Sequence, residues 1–186
     1  MTVALGTYFD AVLAAAKRGS AWAWEEIFRD LAGPIAGFAR GRGAPDPEDI
    51  LQETFLSAAQ DIHRFAGDEN DFRAWIFTIA HRRVADAFRK LGREVPRVDR
   101  ESADSEAEAR WLGDVEQDAM SSMSLVEVNT IVRGLTAAQR EVLMLRVVGD
   151  LSVAETALIL DKSEGTIRTL QSRALKALRE QLDDDA

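Results

Sequence analysis

The histidines and carboxylates of this chain form no pattern typical of a catalytic or metal site. His63 and His81 are the only histidines, and the chain has no cysteine. Neither histidine shows the spacing of a zinc site or of a nucleophile–histidine–carboxylate triad. We therefore predict no catalytic residue, no cofactor and no metal, and we interpret the two histidines as surface or DNA-contacting residues.

Four cations recur along one side of the helix predicted over 72–91. Arg82 and Arg89 are seven residues apart, and Arg83 and Lys90 repeat that spacing one residue further on. Seven residues make about two helical turns, so the four side chains form a strip opposite an aromatic-rich side. Cations near aromatic rings suit single-stranded or partly melted DNA. A face that only confers solubility would show the same pattern.

A second candidate surface lies near the C-terminus. Residues 152–160 predict a short helix, Asp161 and Lys162 a tight turn, and Ser163 the cap of a longer helix. Such a pair of helices is a helix-turn-helix. The side of the longer helix opposite its apolar stripe carries groove-reading side chain types, namely Glu164, Arg168, Thr169, Ser172, Arg173 and Lys176.

A third, weaker signal lies in the helix predicted over 46–62. Asp49, Gln52 and Glu53 fall outside its apolar stripe. An acidic and amide face of this kind could dock on a basic partner surface, although by itself it is more often simply solvated.

Both ends of the chain show helical rather than strand periodicity. One predicted helix ends at Gly33 and Pro34, where a new one starts. Capping boxes are predicted where a serine or threonine precedes a glutamine or glutamate by three residues, as in Thr136 with Gln139 and Ser152 with Glu155. The predicted fold class is all-α.

The charge distribution divides the chain into two small helical domains. The net charge is -9, and residues 94–128 hold ten acidic but only three basic residues. We predict an N-terminal domain over 1–93, a flexible acidic linker over 94–124 and a C-terminal domain over 125–186. Because most of the acidity belongs to the linker, it does not exclude phosphate binding by the domains. No signal peptide or membrane-spanning run is evident, so we expect a cytoplasmic protein with no direct membrane insertion.

Two blocks resemble the extracytoplasmic-function (ECF) sigma factors of bacterial RNA polymerase. Domain 2 of that family is similar to DPEDILQETFLSAAQDIHRFAGDENDFRAWIFTIAHRRVADAFRK, and its beginning to AAAKRGSAWAWEEIFRDLAGPIAGFAR. Domain 4 of the family is similar to LTAAQREVLMLRVVGDLSVAETALILDKSEGTIRTLQSRALKALR. The order and separation of the blocks also match, and together they cover most of the chain outside the linker.

The resemblance implies a role for each candidate surface. Docking on core RNA polymerase falls to Asp49, Gln52 and Glu53. The minus-ten promoter element is expected to bind the loop over 64–71 and the cationic strip. The residues concerned are Arg64, Phe65, Asp68, Asn70, Arg82, Arg83, Arg89 and Lys90. Reading of the minus-thirty-five element falls to the second helix of the helix-turn-helix, with Ser163, Glu164, Thr166, Arg168, Thr169, Ser172 and Arg173.

The resemblance also implies partners: core RNA polymerase, promoter DNA and an anti-sigma protein. Several positions depart from the family pattern, so the promoter sequence cannot be transferred; these are Arg82, Thr156, Asp161, Lys162, Leu170 and Gln171. The main alternative is a helix-turn-helix transcription regulator whose N-terminal domain senses a signal or dimerises.

Overall fold

The chain is helical throughout the part that the structure describes. This computed structural model describes residues 5–92 and 134–184, and neither range contains a strand. The prediction of an all-α fold is confirmed. The predicted linker over 94–124 lies outside the described residues.

Within residues 5–92, the N-terminal domain contains four α-helices and two short 3-10 turns. The turns are Gly6–Tyr8 and Ile62–Arg64, and the helices are α1 (Phe9–Lys17), α2 (Ala21–Gly41), α3 (Pro47–Asp61) and α4 (Glu69–Lys90). Helix α3 begins as its sequence predicts, because the Asp46 carboxylate accepts a hydrogen bond from the Asp49 amide at 2.9 Å and Pro47 occupies the first turn.

Helix α2 is longer than its sequence predicts. The predicted break at Gly33 and Pro34 is wrong, since the helix runs through both residues to Gly41. Proline removes one backbone donor from a helix interior. Leu31, Ile35 and Phe38 are almost completely buried along one side of α2, and this packing offsets the lost hydrogen bond.

Within residues 134–184, the C-terminal domain contains three further α-helices and one π-helical segment. They are α5 (Ala137–Leu143), the π-helical Met144–Val148, α6 (Val153–Leu160) and α7 (Glu164–Asp184). Both predicted capping boxes are confirmed. Thr136 Oγ1 accepts from the Gln139 amide at 3.3 Å, and Ser152 Oγ accepts from the Glu155 amide at 3.1 Å.

One apolar core continues through both domains. The rings of Phe38 and Phe77 meet edge to face, with their centroids 5.8 Å apart. Met144, Leu145 and Leu151 of the C-terminal domain join the same buried cluster. The two domains therefore pack against each other, which the sequence pattern did not indicate. A smaller cluster holds the helix-turn-helix together and contains Val142, Ala157 and Ile167.

Candidate nucleic-acid interface

The cationic strip lies along the C-terminal half of α4. Arg82, Arg89 and Lys90 are exposed there. Arg89 forms an ion pair with Asp86, one turn earlier, at 2.8 Å between Arg89 Nη1 and Asp86 Oδ1. Arg82 is exposed and makes no ion pair with the residues of 5–92 and 134–184.

Glu53 of α3 links this strip to the neighbouring helix. Its carboxylate lies 3.9 Å from Arg83 Nε and 3.7 Å from Lys90 Nζ. Arg83 also donates from Nη2 to Ser57 Oγ at 2.7 Å. These contacts position two cations over the seam between α3 and α4, and they neutralise part of the strip. Glu53, predicted to lie on the docking face, therefore borders both surfaces.

The loop before α4 is supported from beneath by an aromatic cluster. Phe65 is buried, and its ring centroid lies 5.2 Å from that of Phe72 and 5.3 Å from that of Trp75. Lys17 Nζ donates to the Phe65 carbonyl at 2.7 Å. Phe65 therefore braces the loop, and in this conformation its ring is not open to a base.

The polar residues of this loop lie at the surface. Arg64, Asp68 and Asn70 are all exposed. The Asp68 carboxylate caps α4 by accepting from the Asp71 amide at 2.9 Å, and Asp71 accepts from the Asp68 amide at 3.1 Å. Because this reciprocal pair fixes the backbone, Asn70 is presented outward from a preformed turn.

The exposed side of α3 carries an apolar residue beside its predicted docking residues. Asp49 and Gln52 are exposed, and Leu56, one turn after Gln52, is 60% exposed. A leucine surrounded by polar groups is a suitable anchor for a protein interface. Sequence reasoning missed Leu56, although its position outside the apolar stripe of α3 was a usable signal.

The helix-turn-helix consists of α6, a tight turn and α7. At the turn Asp161 has φ 51° and ψ 49°, a left-handed conformation that glycine adopts without strain and most other residues adopt at a cost. The Lys162 amide closes the turn by donating to the Ala157 carbonyl at 3.0 Å. The predicted tight turn is thus confirmed.

Helix α7 presents the predicted groove-reading residues to solvent. Ile167 and Ala174 are buried on its other side. The residues predicted to read the minus-thirty-five element are all exposed: Ser163, Glu164, Thr166, Arg168, Thr169, Ser172 and Arg173.

Several of these side chains already have partners. Ser163 Oγ accepts from the Thr166 amide at 3.2 Å and lies 2.9 Å from Thr166 Oγ1. Arg168 Nη2 pairs with Glu164 at 2.5 Å. Arg173 is exposed and, unlike Arg168, forms no ion pair in the described ranges.

A cluster of charged side chains lies where the two domains meet. Glu141 Oε1 of α5 lies 2.9 Å from Arg42 Nη2 and 3.0 Å from His81 Nε2. His81, interpreted from the sequence as a surface or DNA-contacting residue, instead faces the other domain. Sequence reasoning missed the cluster because no local pattern pairs residues so far apart in the chain.

A second buried ion pair joins α2 to α4. Arg73 Nη2 donates to Asp30 Oδ2 at 2.8 Å, and both side chains are at least nine-tenths buried. Burial raises the pKa of the Asp30 carboxyl above its ordinary value of 3.8; Arg73 lowers it and Glu69 raises it further. Desolvation therefore outweighs the attraction of Arg73.

The described residues contain no group of three or more histidine, cysteine, aspartate or glutamate side chains placed to hold a metal ion. They also include no helix that is both long and apolar enough to span a membrane.

Two family models match the chain. Sigma-70 region 2 matches residues 27–94, which include α3, the loop and the cationic strip. Sigma-70 region 4 matches residues 125–178, which include the helix-turn-helix.

The chain is also similar to curated proteins named as ECF RNA polymerase sigma factors. The chain is 35% identical to the ECF RNA polymerase sigma factor BldN of Streptomyces coelicolor over 92% of its own length and 64% of that protein. The chain thus spans less than two thirds of BldN. It is 32% identical to the ECF RNA polymerase sigma factor SigD of Mycobacterium tuberculosis, over 95% of its own length and 85% of SigD.

Two solved structures share the fold. CnrH in complex with the cytosolic domain of CnrY matches at a TM-score of 0.64 and 25% identity, over 96% of this chain and 99% of that one. The sigma factor RpoE of Bartonella quintana in complex with the anti-sigma factor NepR matches at a TM-score of 0.61 and 25% identity, over 87% of this chain and 99% of that one.

Proposed function

Because this chain belongs to the ECF RNA polymerase sigma factors, we propose that it binds core RNA polymerase and directs promoter-specific initiation of transcription. One observation carries the proposal most strongly. Two exposed surfaces suited to nucleic acid lie on separate helices, and each falls in a stretch that matches a different sigma region.

The minus-ten element is held by the N-terminal domain. Arg82 and Arg89 follow the backbone of the non-template strand by charge, with Arg83 and Lys90 positioned at its edge by Glu53. The loop presents Arg64, Asp68 and Asn70 to an extruded base, while Phe65 keeps the loop in shape from below. A flipped base is recognised by hydrogen bonds to its exposed edge, which these polar side chains can provide.

The minus-thirty-five element is read by α7. Arg168 and Arg173 are the residues able to make bidentate contacts with guanine, while the nearby hydroxyl side chains, those of Ser163, Thr166, Thr169 and Ser172, bind phosphates or base edges. Arg168 must exchange its contact with Glu164 for DNA, so Arg173 is expected to contribute more.

Core polymerase docks on the exposed side of α3. Asp49 and Gln52 provide the polar contacts, Leu56 provides the apolar anchor, and Glu53 lies at the border with the strip. In this role the chain is a non-enzymatic initiation factor acting in the cytoplasm, without inserting into a membrane itself. An anti-sigma protein is proposed as its inhibitor, by analogy with the complex of the sigma factor RpoE with the anti-sigma factor NepR.

Run-off transcription with core polymerase tests this proposal against a helix-turn-helix regulator, which cannot start transcription alone. Residues 27–94 already disfavour the regulator because they match sigma region 2. We expect Arg173→Ala to reduce initiation at a cognate promoter about fivefold to 150-fold, since one bidentate base contact contributes about 1–3 kcal/mol. Arg29→Ala is the matched control, because Arg29 is an exposed arginine of α2 outside all three surfaces. Equal loss in both variants, or no initiation by the unaltered chain, would refute the proposal.

A further inference from the structure

The loop over 64–71 receives a hydrogen bond from the N-terminal helix α1. Lys17, the last residue of α1, donates from Nζ to the Phe65 carbonyl at 2.7 Å. The two residues lie 48 positions apart in the chain, so this bond ties separate elements together. Helix α1 lies before the stretch that matches sigma-70 region 2, which begins at residue 27, and that match therefore assigns α1 no role.

The Phe65 carbonyl lies where the chain leaves the aromatic cluster. Phe65 follows the 3-10 turn Ile62–Arg64, and its backbone is extended, with φ −69° and ψ 135°. Its amide already donates back into the turn at 3.1 Å, and its ring is buried in the cluster. The Lys17 bond therefore fixes the remaining polar group of Phe65, and with it the direction of the peptide that leads into Ala66. A hydrogen bond from an ammonium group is about twice as strong as one between neutral groups.

The opposite end of the loop is fixed without Lys17. Asp68 and Asp71 form the reciprocal capping pair at the start of α4. A Cβ atom on Gly67 would lie only 2.6 Å from Asp71 Cβ, so the backbone there rests directly on the first turn of the helix. Loss of the Lys17 bond should therefore loosen the loop near Phe65 and leave this end in place.

We propose that Lys17 is a positioning residue for recognition of the minus-ten element, acting through the Phe65 carbonyl. This inference rests on the proposed function. The bond holds Arg64 and the backbone that follows it in one conformation before DNA binds, so the loop does not have to be ordered on binding. A promoter with the correct base must order a loosened loop, whereas one with the wrong base gains little from ordering it. Loss of the bond therefore weakens binding to the correct base and lowers discrimination.

This role differs from that of a lysine that contacts DNA phosphate. Loss of a phosphate contact weakens binding to all sequences alike and reduces the salt dependence of binding. Loss of a positioning residue instead reduces the preference for one base and leaves the salt dependence unchanged.

Initiation by core polymerase with the chain measures the effect. Rates are compared on a cognate promoter and on promoters that carry single substitutions in the minus-ten element. Lys17→Met should lower the ratio of cognate to substituted rates at least about fivefold at the position that discriminates most strongly, while discrimination at the minus-thirty-five element is unchanged. Lys17→Arg keeps a cationic donor and should retain most of the ratio.

The neighbouring cation provides the matched control. Arg18 is exposed beside Lys17, so Arg18→Met removes the same charge from the same end of α1 and should leave the ratio unchanged. Circular dichroism checks that each variant is folded at the assay temperature. Equal losses on cognate and substituted promoters, or equal effects of Lys17→Met and Arg18→Met, would overturn the inference.

Hydrogen exchange followed by mass spectrometry tests the same bond in the free chain, without polymerase. Lys17→Met should exchange faster over 64–67 by a similar factor, with exchange in α3 unchanged, and Arg18→Met should match the unaltered chain. Unchanged exchange over 64–67 in Lys17→Met would also overturn the inference. If the unaltered chain never initiates with core polymerase, the proposed function itself fails, while the exchange measurement still shows whether Lys17 holds the loop.

Discussion

Replacing Arg73 and replacing Asp30, the two members of the buried ion pair between α2 and α4, should have very different effects on the stability of the fold. Arg73→Met leaves the Asp30 carboxylate buried near Glu69 with no cation, and Glu69 Oε1 is itself buried without a hydrogen bond. Asp30→Asn keeps a side-chain oxygen that can accept the hydrogen bond from Arg73. We therefore expect Arg73→Met to be much the more damaging change.

The magnitudes follow from the burial of the pair and from its pKa. Removing one partner of a buried pair destabilises a protein by about 3–5 kcal/mol, and Arg73→Met should fall in this range. Because the pKa of Asp30 is raised despite Arg73, folding favours the uncharged form of this carboxyl relative to the unfolded chain. Asparagine imitates that form, so Asp30→Asn should destabilise the fold by only about 1 kcal/mol or less.

Urea denaturation followed by circular dichroism at pH 7 measures both free energies of unfolding. With a slope near 2 kcal/mol per molar, Arg73→Met should lower the midpoint by about 1.5–2.5 M. Adding Asp30→Asn to Arg73→Met should restore part of the lost stability, because it removes the Asp30 carboxylate that Arg73→Met leaves buried without a cation. Equal losses in the two single variants, or a double variant less stable than Arg73→Met, would refute the reasoning.

The same carboxyl sets a pH dependence with a defined sign. A raised pKa means that the folded state holds the Asp30 proton more tightly than the unfolded state does. Its contribution to stability is therefore fully present below the unfolded value, near 3.8, and is lost as the pH rises through the folded pKa. Asp30→Asn should remove this fall from the pH profile of unfolding.

Three further predictions concern the candidate surfaces. Asp161→Val should destabilise the helix-turn-helix by about 1–2 kcal/mol in urea denaturation, because valine tolerates the left-handed turn poorly, whereas Asp161→Gly should retain or increase stability. Arg82→Ala should flatten the salt dependence of binding to single-stranded minus-ten DNA by about 0.7 in the log–log slope, which is the loss of one phosphate contact; an unchanged slope would remove Arg82 from that surface. Leu56→Asp should weaken binding to core polymerase at least about tenfold in a titration, without changing the melting temperature, since the side chain is already exposed.

Local signals in the sequence were sufficient to predict the helix-turn-helix. Its capping box at Ser152 and Glu155, its turn at Asp161 and its buried Ile167 all depend on residues within a few positions of one another. For the same reason the outward face of α7 could be predicted by helical spacing alone.

Long-range packing explains what the sequence did not show. Helix α2 continues through Pro34 because buried neighbours outweigh a local break signal. Phe65 lies in the candidate DNA loop, yet its ring packs on residues from the following helix. The Arg42–Glu141 contact joins different domains, and no local sequence pattern pairs residues so far apart in the chain.

Whether the chain acts as a sigma factor is best decided by mapping the transcript starts that purified core polymerase makes, with and without the chain, on fragmented genomic DNA. We expect new, discrete starts that appear only with the chain, preceded by two shared sequence elements at a near-constant spacing. Arg173→Ala should reduce the dependence on the upstream element. A start pattern identical to that of core polymerase alone would contradict the proposed function.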